Sequence, residues 1–343
     1  MVTVATRLYS SPNLIRHSLL RFSSVSKFSP PNYLEESIKA AIEAKNYGEI
    51  PNILAASKGS CQNANPFSFL SAFPVKTRTN IVDEILQSFS SLRPRSRPGF
   101  AYSCLLSYTL QSPNPLPLAL AVLQRTLRSG CLPVPQTHVL LSTAWLESCC
   151  HAKLVSNILL EMQSIGYNPD CGICNYLILS LCKVDQLKEA IKVLKGMSGA
   201  GCFPDLDSYG TIICEMSELG RTADAVGMMK EMVATFNLSP RKEILVKIAA
   251  AFRANKETLR AVEMIEFLER KNVDVGFDVY DLVLEGCLEC RQFVLAGKVV
   301  MRMTGKGFIP YISVRQRVVA GLASVDEWEL ASAVRQRFSD MNS

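Results

Sequence analysis

The chain has 343 residues, 48% of them apolar and 20% charged, a core-rich composition that excludes a disordered protein. The net charge is +6, but Arg7, Arg16, Arg21 and Lys27 all lie in an acid-free leader, since the first acid is Glu35. Setting those four aside, the remaining 33 basic residues face 31 acidic ones, a net of +2, which excludes a surface that grips many phosphates indiscriminately.

Residues 1–30 are rich in Arg and Ser and can form an amphipathic helix, with Ile15, Leu19 and Phe22 on one face and Arg16 and Arg21 off it. They lack the continuous apolar core of a secretory signal, and the pattern predicts an organelle transit peptide. An N-terminus with no address is the alternative. The stretch Arg21-Phe22-Ser23-Ser24 resembles a mitochondrial processing region, which puts the mitochondrion ahead of the chloroplast.

Next, residues 31–98 form an irregular stretch. Leu34 to Lys45 and Ile81 to Phe89 read as helices, on either side of the segment Asn63 to Pro66. They are either degenerate repeats or an N-terminal cap. Pro94 to Pro98, with Arg93, Arg95 and Arg97, reads as an exposed connection. The longest apolar runs, such as Leu116 to Leu123, fall short of the roughly 20 residues a membrane span needs, so no membrane partner is expected.

From residue 99 the chain repeats itself. Ala190, Ala225, Ala261, Ala296 and Ala331 recur at steps of 35 or 36 residues, as do Met162, Met197, Met232, Leu268 and Met303. Prolines close the units at Pro133, Pro169, Pro204, Pro240 and Pro310. In 171–205, Leu177, Ile178, Leu181 and Cys182 make one helical stripe from Asn175 to Lys183, and Ala190, Ile191, Leu194 and Met197 make a second from Leu187. Val184-Asp185-Gln186 turns between them, Gly199 and Gly201 end the second helix, and Pro204 forbids its continuation. A lone helix pair cannot bury both stripes, so neighbouring units must stack. The predicted fold is therefore all-α, an α-solenoid with units 99–134, 135–170, 171–205, 206–241, 242–276, 277–311 and a partial 312–343.

A 34-residue period would also suit tetratricopeptide repeats, but their Trp, Leu-Gly and Tyr signature is absent from the first helices. Unit 171–205 instead resembles a pentatricopeptide repeat. Leu-Cys-Lys closes its first helix, Glu-Ala opens the second, and Met, Gly and a terminal Pro-Asp follow. Units 206–232, 277–311 and 100–134 carry related strings, and the resemblance extends over about seven tenths of the chain.

That resemblance implies an organellar protein that binds single-stranded RNA along its groove, one base per repeat, without catalysis of its own. In the family, the fifth and last residues of a unit form the deciding pair. Here Asn175 and Asp205 make the combination the family pairs with uracil, and an amide oriented by a carboxylate suits a pyrimidine edge; the alternative is that Asn175 caps the first helix and Asp205 belongs to a turn. The corresponding pairs Ser103 with Val134, Gly210 with Arg241, Val246 with Gly276 and Asp281 with Tyr311 are not favoured ones. Asp207, Glu243 and Asp278 hold second positions, where an acid repels phosphate. Arg241, Arg315 and Arg317 are further RNA-binding candidates beside Asn175, Asp205, Ser103 and Gly210. A protein-interaction scaffold within an organellar ribonucleoprotein is the alternative.

No other chemistry stands out. The Cys-x-x-Cys pairs Cys171/Cys174 and Cys287/Cys290 are too far apart along a solenoid to share a zinc ion, and Cys149-Cys150-His151 reads as packing. There is no phosphate-binding Gly-x-x-x-x-Gly-Lys loop and no His-x-Glu deaminase tail. We expect no metal, no cofactor and no small-molecule substrate.

Overall fold

A computed structural model describes residues 33–56, 65–149 and 154–341. The leader 1–30, Asn63, Cys150 and His151 lie outside the described residues.

Three helices come first: α1 (Tyr33–Glu43), α2 (Ile50–Ala56) and α3 (Val75–Ser91). Seven helix pairs follow: α4 (Gly99–Leu110) with α5 (Leu116–Arg128), α6 (Gln136–Cys149) with α7 (Val155–Leu160), α8 (Cys171–Lys183) with α9 (Leu187–Gly196), and α10 (Leu206–Glu218) with α11 (Thr222–Thr235). The last three are α12 (Lys242–Ala254) with α13 (Thr258–Arg270), α14 (Phe277–Glu289) with α15 (Phe293–Gly305), and α16 (Ile312–Ser324) with α17 (Trp328–Asp340). No strand occurs among the described residues, and no described helix is long and apolar enough to cross a membrane. The first helix of each pair packs against the first helices on either side, from α4 to α16, in one continuous layer.

The two repeating landmarks lie in the core. The five alanines and all of Met162, Met197, Met232, Leu268 and Met303 are buried. An alanine in the second helix lets the paired helices approach closely, and the long Met or Leu side chain adds bulk to the core.

Local chemistry sets the boundaries. α8 starts at Cys171, four residues before the expected Asn175, because the Asp170 carboxylate accepts the Ile173 N–H at 3.0 Å and caps the helix. α9 is α-helical only to Gly196; Met197–Ala200 tightens into a 3-10 turn before Gly201 takes a left-handed conformation. Cys202 N–H then donates to the Met197 carbonyl at 3.1 Å, closing the end.

Each unit from 171 to 311 reverses through two left-handed residues, and the last described pair through one. Between the paired helices these are Asp185, Gly220, Lys256, Arg291 and Asp326; after the second helix they are Gly201, Asn237, Asn272 and Gly307. Gly and Asn adopt this conformation readily, whereas Lys256 and Arg291 strain against it. The strain is held by the bond that follows each, such as Gln292 N–H to the Cys287 carbonyl at 2.8 Å.

Candidate functional site

Asn175 and Asp205 meet at the junction of two units. Asn175 is the fifth residue of α8, and Asp205 caps α10. The Asp205 Oδ1 accepts the backbone N–H of Asp207 and of Ser208, both at 2.9 Å, and Asp205 N–H donates to Ser208 Oγ at 3.1 Å. This reciprocal capping box fixes the carboxylate before Asn175 reaches it. Asn175 Nδ2 then donates to both carboxylate oxygens at 3.1 Å, while Ser208 Oγ donates to Asn175 Oδ1 at 2.5 Å. Burial opposes ionisation of Asp205, but the hydrogen bonds from Ser208, Asn175 and Asp207 outweigh it and hold the carboxyl below its usual range.

The amide of Asn175 is therefore locked in one orientation and keeps one oxygen lone pair uncommitted. An amide held in a fixed orientation can present its remaining hydrogen-bonding capacity to a base edge. Ser208 is the member of this network that inspection of the sequence missed. The Asp-x-x-Ser spacing at the start of α10 is its signal.

The other candidates are placed differently. Ser103 Oγ turns back onto its own helix and donates to the Gly99 carbonyl at 3.1 Å. Gly210 is buried, and the space a side chain would take there is filled by Ile244, whose Cδ1 lies 2.9 Å from an added Cβ. Arg241 is engaged with Asp207 at 2.7 Å, and Arg317 with Glu285 at 3.0 Å. Arg315 lies over the Phe338 ring, 5.5 Å from its centre. The structure brings Asn175 and Asp205 together; Gly210 and Arg241 line a neighbouring cleft of about 650 Å³ between α8, α10 and α12; Ser103, Arg315 and Arg317 are remote from both.

Charge divides the first-helix layer. α4 carries none, α6 carries Glu147 and α8 carries Lys183. α10 then holds Asp207, Glu215 and Glu218, and α14 holds Asp278, Asp281, Glu285 and Glu289, with no base on either. The bases Lys247 and Arg253 of α12 are tied to these acids, to Glu218 at 2.8 Å and to Glu289 at 2.5 Å. Hydrogen bonding to Lys247 and to Arg253 holds the Glu218 and Glu289 carboxyls low. Burial and neighbouring Glu285 push Asp281 the other way, and its Oδ1 is buried without a partner. Asn175 and Asp205 thus sit where the nearly uncharged half meets the acidic one. Among the described residues no cluster of three or more His, Cys, Asp or Glu could hold a metal ion, and Cys174 and Cys287 are core residues.

The sequence pattern of the pentatricopeptide repeat domain matches residues 157–217, which contain Asn175, Asp205 and Ser208. A pentatricopeptide repeat-containing protein of Arabidopsis thaliana is 55% identical over 322 residues, covering 94% of this chain and 93% of that protein. The chain belongs to the pentatricopeptide repeat family. The small ribosomal subunit protein mL103 (rPPR7) of Arabidopsis thaliana is 20% identical over 273 residues, covering 77% of this pentatricopeptide repeat chain and 65% of that protein. Among solved structures, the pentatricopeptide repeat protein PPR10 in complex with an 18-nt psaJ RNA element aligns with 93% of the chain at 15% identity and a TM-score of 0.34. The chain spans about half of that protein, 49% of its length.

Proposed function

We propose that this pentatricopeptide repeat protein binds single-stranded RNA on its first-helix layer and acts in the processing, stability or translation of an organellar transcript, without catalysis of its own. The observation that carries this reading is the Asn175–Asp205–Ser208 network, which holds a half-buried amide in one orientation at a repeat junction. Uracil is the base it suits. The nearly uncharged layer upstream, α4 to α8, leaves a strand free to lie beside Asn175. The acid-free leader with Arg7, Arg16, Arg21 and Lys27 supports import into an organelle, the mitochondrion ahead of the chloroplast.

The test is crosslinking of the tagged mature protein to RNA in isolated organelles, beside an Asn175→Ala, Asp205→Asn variant. Asn at 205 keeps a helix cap, so α10 stays folded. A discrete uracil-containing footprint, lost in the variant, supports the reading; no enrichment over background sinks it. Recovery of protein partners with no RNA supports the second reading, a scaffold in an organellar ribonucleoprotein. The acidic α10 and α14 favour that alternative, and so does the similarity to a protein named as a ribosomal subunit component.

A further inference from the structure

The outer face of the last helix pair departs from the pattern of every pair from α8 onward. Where α16 carries Arg315, the four preceding first helices carry Tyr280, Leu245, Tyr209 and Cys174, all buried. Where α17 carries Arg335, the preceding second helices carry Val300, Ile265, Met229 and Leu194, all buried as well. Two core positions have thus become arginines in a pair whose apolar neighbours Val319 and Phe338 keep the repeat's register. Neither Arg315 nor Arg335 has an ion-pair partner among the described residues, and the Arg315 Nε is buried without a hydrogen bond. The two arginines, Gln316, Ile312, Val319, Ala320 and Phe338 line one shallow cleft of about 540 Å³.

A small-ligand site combines an apolar floor with a few placed polar groups, and this cleft has both at the volume of such a site. Two guanidiniums without an ion-pair partner select a phosphate, since bidentate Arg–phosphate pairing is among the strongest charge-assisted contacts. Ile312, Val319 and the Arg315 plane over Phe338 offer a surface on which a base can stack. Gln316 is exposed and brings an amide donor and acceptor to the rim. The neighbouring α14 carries four acids and no base, so a strand continuing that way would meet Asp278 and Asp281.

We propose that this cleft holds a terminal nucleotide of an RNA strand, with its end phosphate on Arg315 and Arg335, its base against Ile312 and Val319, and Gln316 at the base edge. The chemistry of the cleft stands alone, and only the RNA source of the nucleotide rests on the function proposed above.

The test uses the full chain and its Arg315→Gln, Arg335→Gln variant, with helicity checked by circular dichroism. The probes are uridine, uridine 5′-monophosphate, and a short oligouridylate with no terminal phosphate, a 5′-phosphate or a 3′-phosphate. Titration calorimetry should give about tenfold tighter binding for one phosphorylated end than for the unphosphorylated oligomer, and the arginine variant should lose that gain. The Asn175→Ala variant should keep the gain. Equal binding with and without phosphate, or a gain that survives in the arginine variant, overturns the proposal. If the phosphate gain appears with the mononucleotide and no oligomer binds, the cleft is a site for free nucleotide: the chemistry holds, while the RNA source and the RNA function fail.

Discussion

Lys247 on α12 donates to Glu218 on α10 at 2.8 Å, so a base on the first-helix layer is committed to the unit before it. Arg317 on α16 likewise donates to Glu285 on α14 at 3.0 Å, and the same carboxylate oxygen lies 4.0 Å from Arg253. These cations hold units together and are not available to phosphate. Replacing Glu285 with Gln should therefore increase non-specific RNA affinity at low salt and steepen its salt dependence by about 0.7 log units per phosphate newly engaged. A filter-binding series across salt concentrations checks this, and an unchanged slope would show that Arg317 stays out of reach of RNA.

The ion pair itself should contribute little. Both side chains are substantially exposed, 47% for Lys247 and 62% for Glu218. A double-mutant cycle with Lys247→Ala and Glu218→Ala should give a coupling of about 0.5 kcal/mol, falling with added salt.

Gly321 and Gly210 should respond very differently to alanine. A Cβ on Gly321 would sit 2.1 Å from Phe293 Cδ1, inside an aromatic ring packed between α15 and α16. Gly321→Ala should cost roughly 1–3 kcal/mol in urea unfolding. At Gly210 the nearest atom is the end of the Ile244 side chain, at 2.9 Å, and rotation about its χ2 relieves the contact. Gly210→Ala should lie well below the Gly321 value, and equal losses would contradict these packing assignments.

Arg291 turns the chain between α14 and α15 at φ 56°. A β-carbon in that conformation costs about 1–2 kcal/mol, and glycine does not carry the penalty. Arg291→Gly should stabilise the chain by about 1 kcal/mol, offset in part by the greater freedom of glycine in the unfolded state. Chemical denaturation of the single variant measures it.

His138 on α6 stacks on Tyr176 of α8, with ring centres 5.0 Å apart, and its Nδ1 lies 2.9 Å from Ser180 Oγ. Burial, with Lys183 adding to it, holds its imidazole pKa below the ordinary value. The ring is thus neutral at pH 7. As pH falls through the ordinary histidine range, the unfolded chain takes up the proton first, so stability should decline. In His138→Gln the decline over that window should shrink. NMR titration of the ring protons and pH-dependent melts provide the check.

The repeat was legible because it is written in the residues that make the core. Ala190 and Met197 recur with their partners since every unit solves the same packing problem, and one unit read well predicts the others. The turns were less legible. Asp185, Lys256 and Arg291 share a left-handed backbone that their side chains do not announce, because tertiary packing over-determines the reversal. At the candidate site, the meeting of Asn175 with Asp205 followed from their unit positions. The part of Ser208 did not, since it acts from the next unit. The fate of Arg241 and Arg317 was also hidden: their partners Asp207 and Glu285 lie 34 and 32 residues away and become neighbours only when whole units stack.

Asp205 belongs to two units at once, closing the one that holds Asn175 and starting α10. The transplantable element for base choice is then the junction, running from Asn175 through Ser208, and not the 35-residue unit as counted in sequence. A designer who grafts 171–205 alone into another array leaves the hydroxyl behind, and the amide is free to rotate.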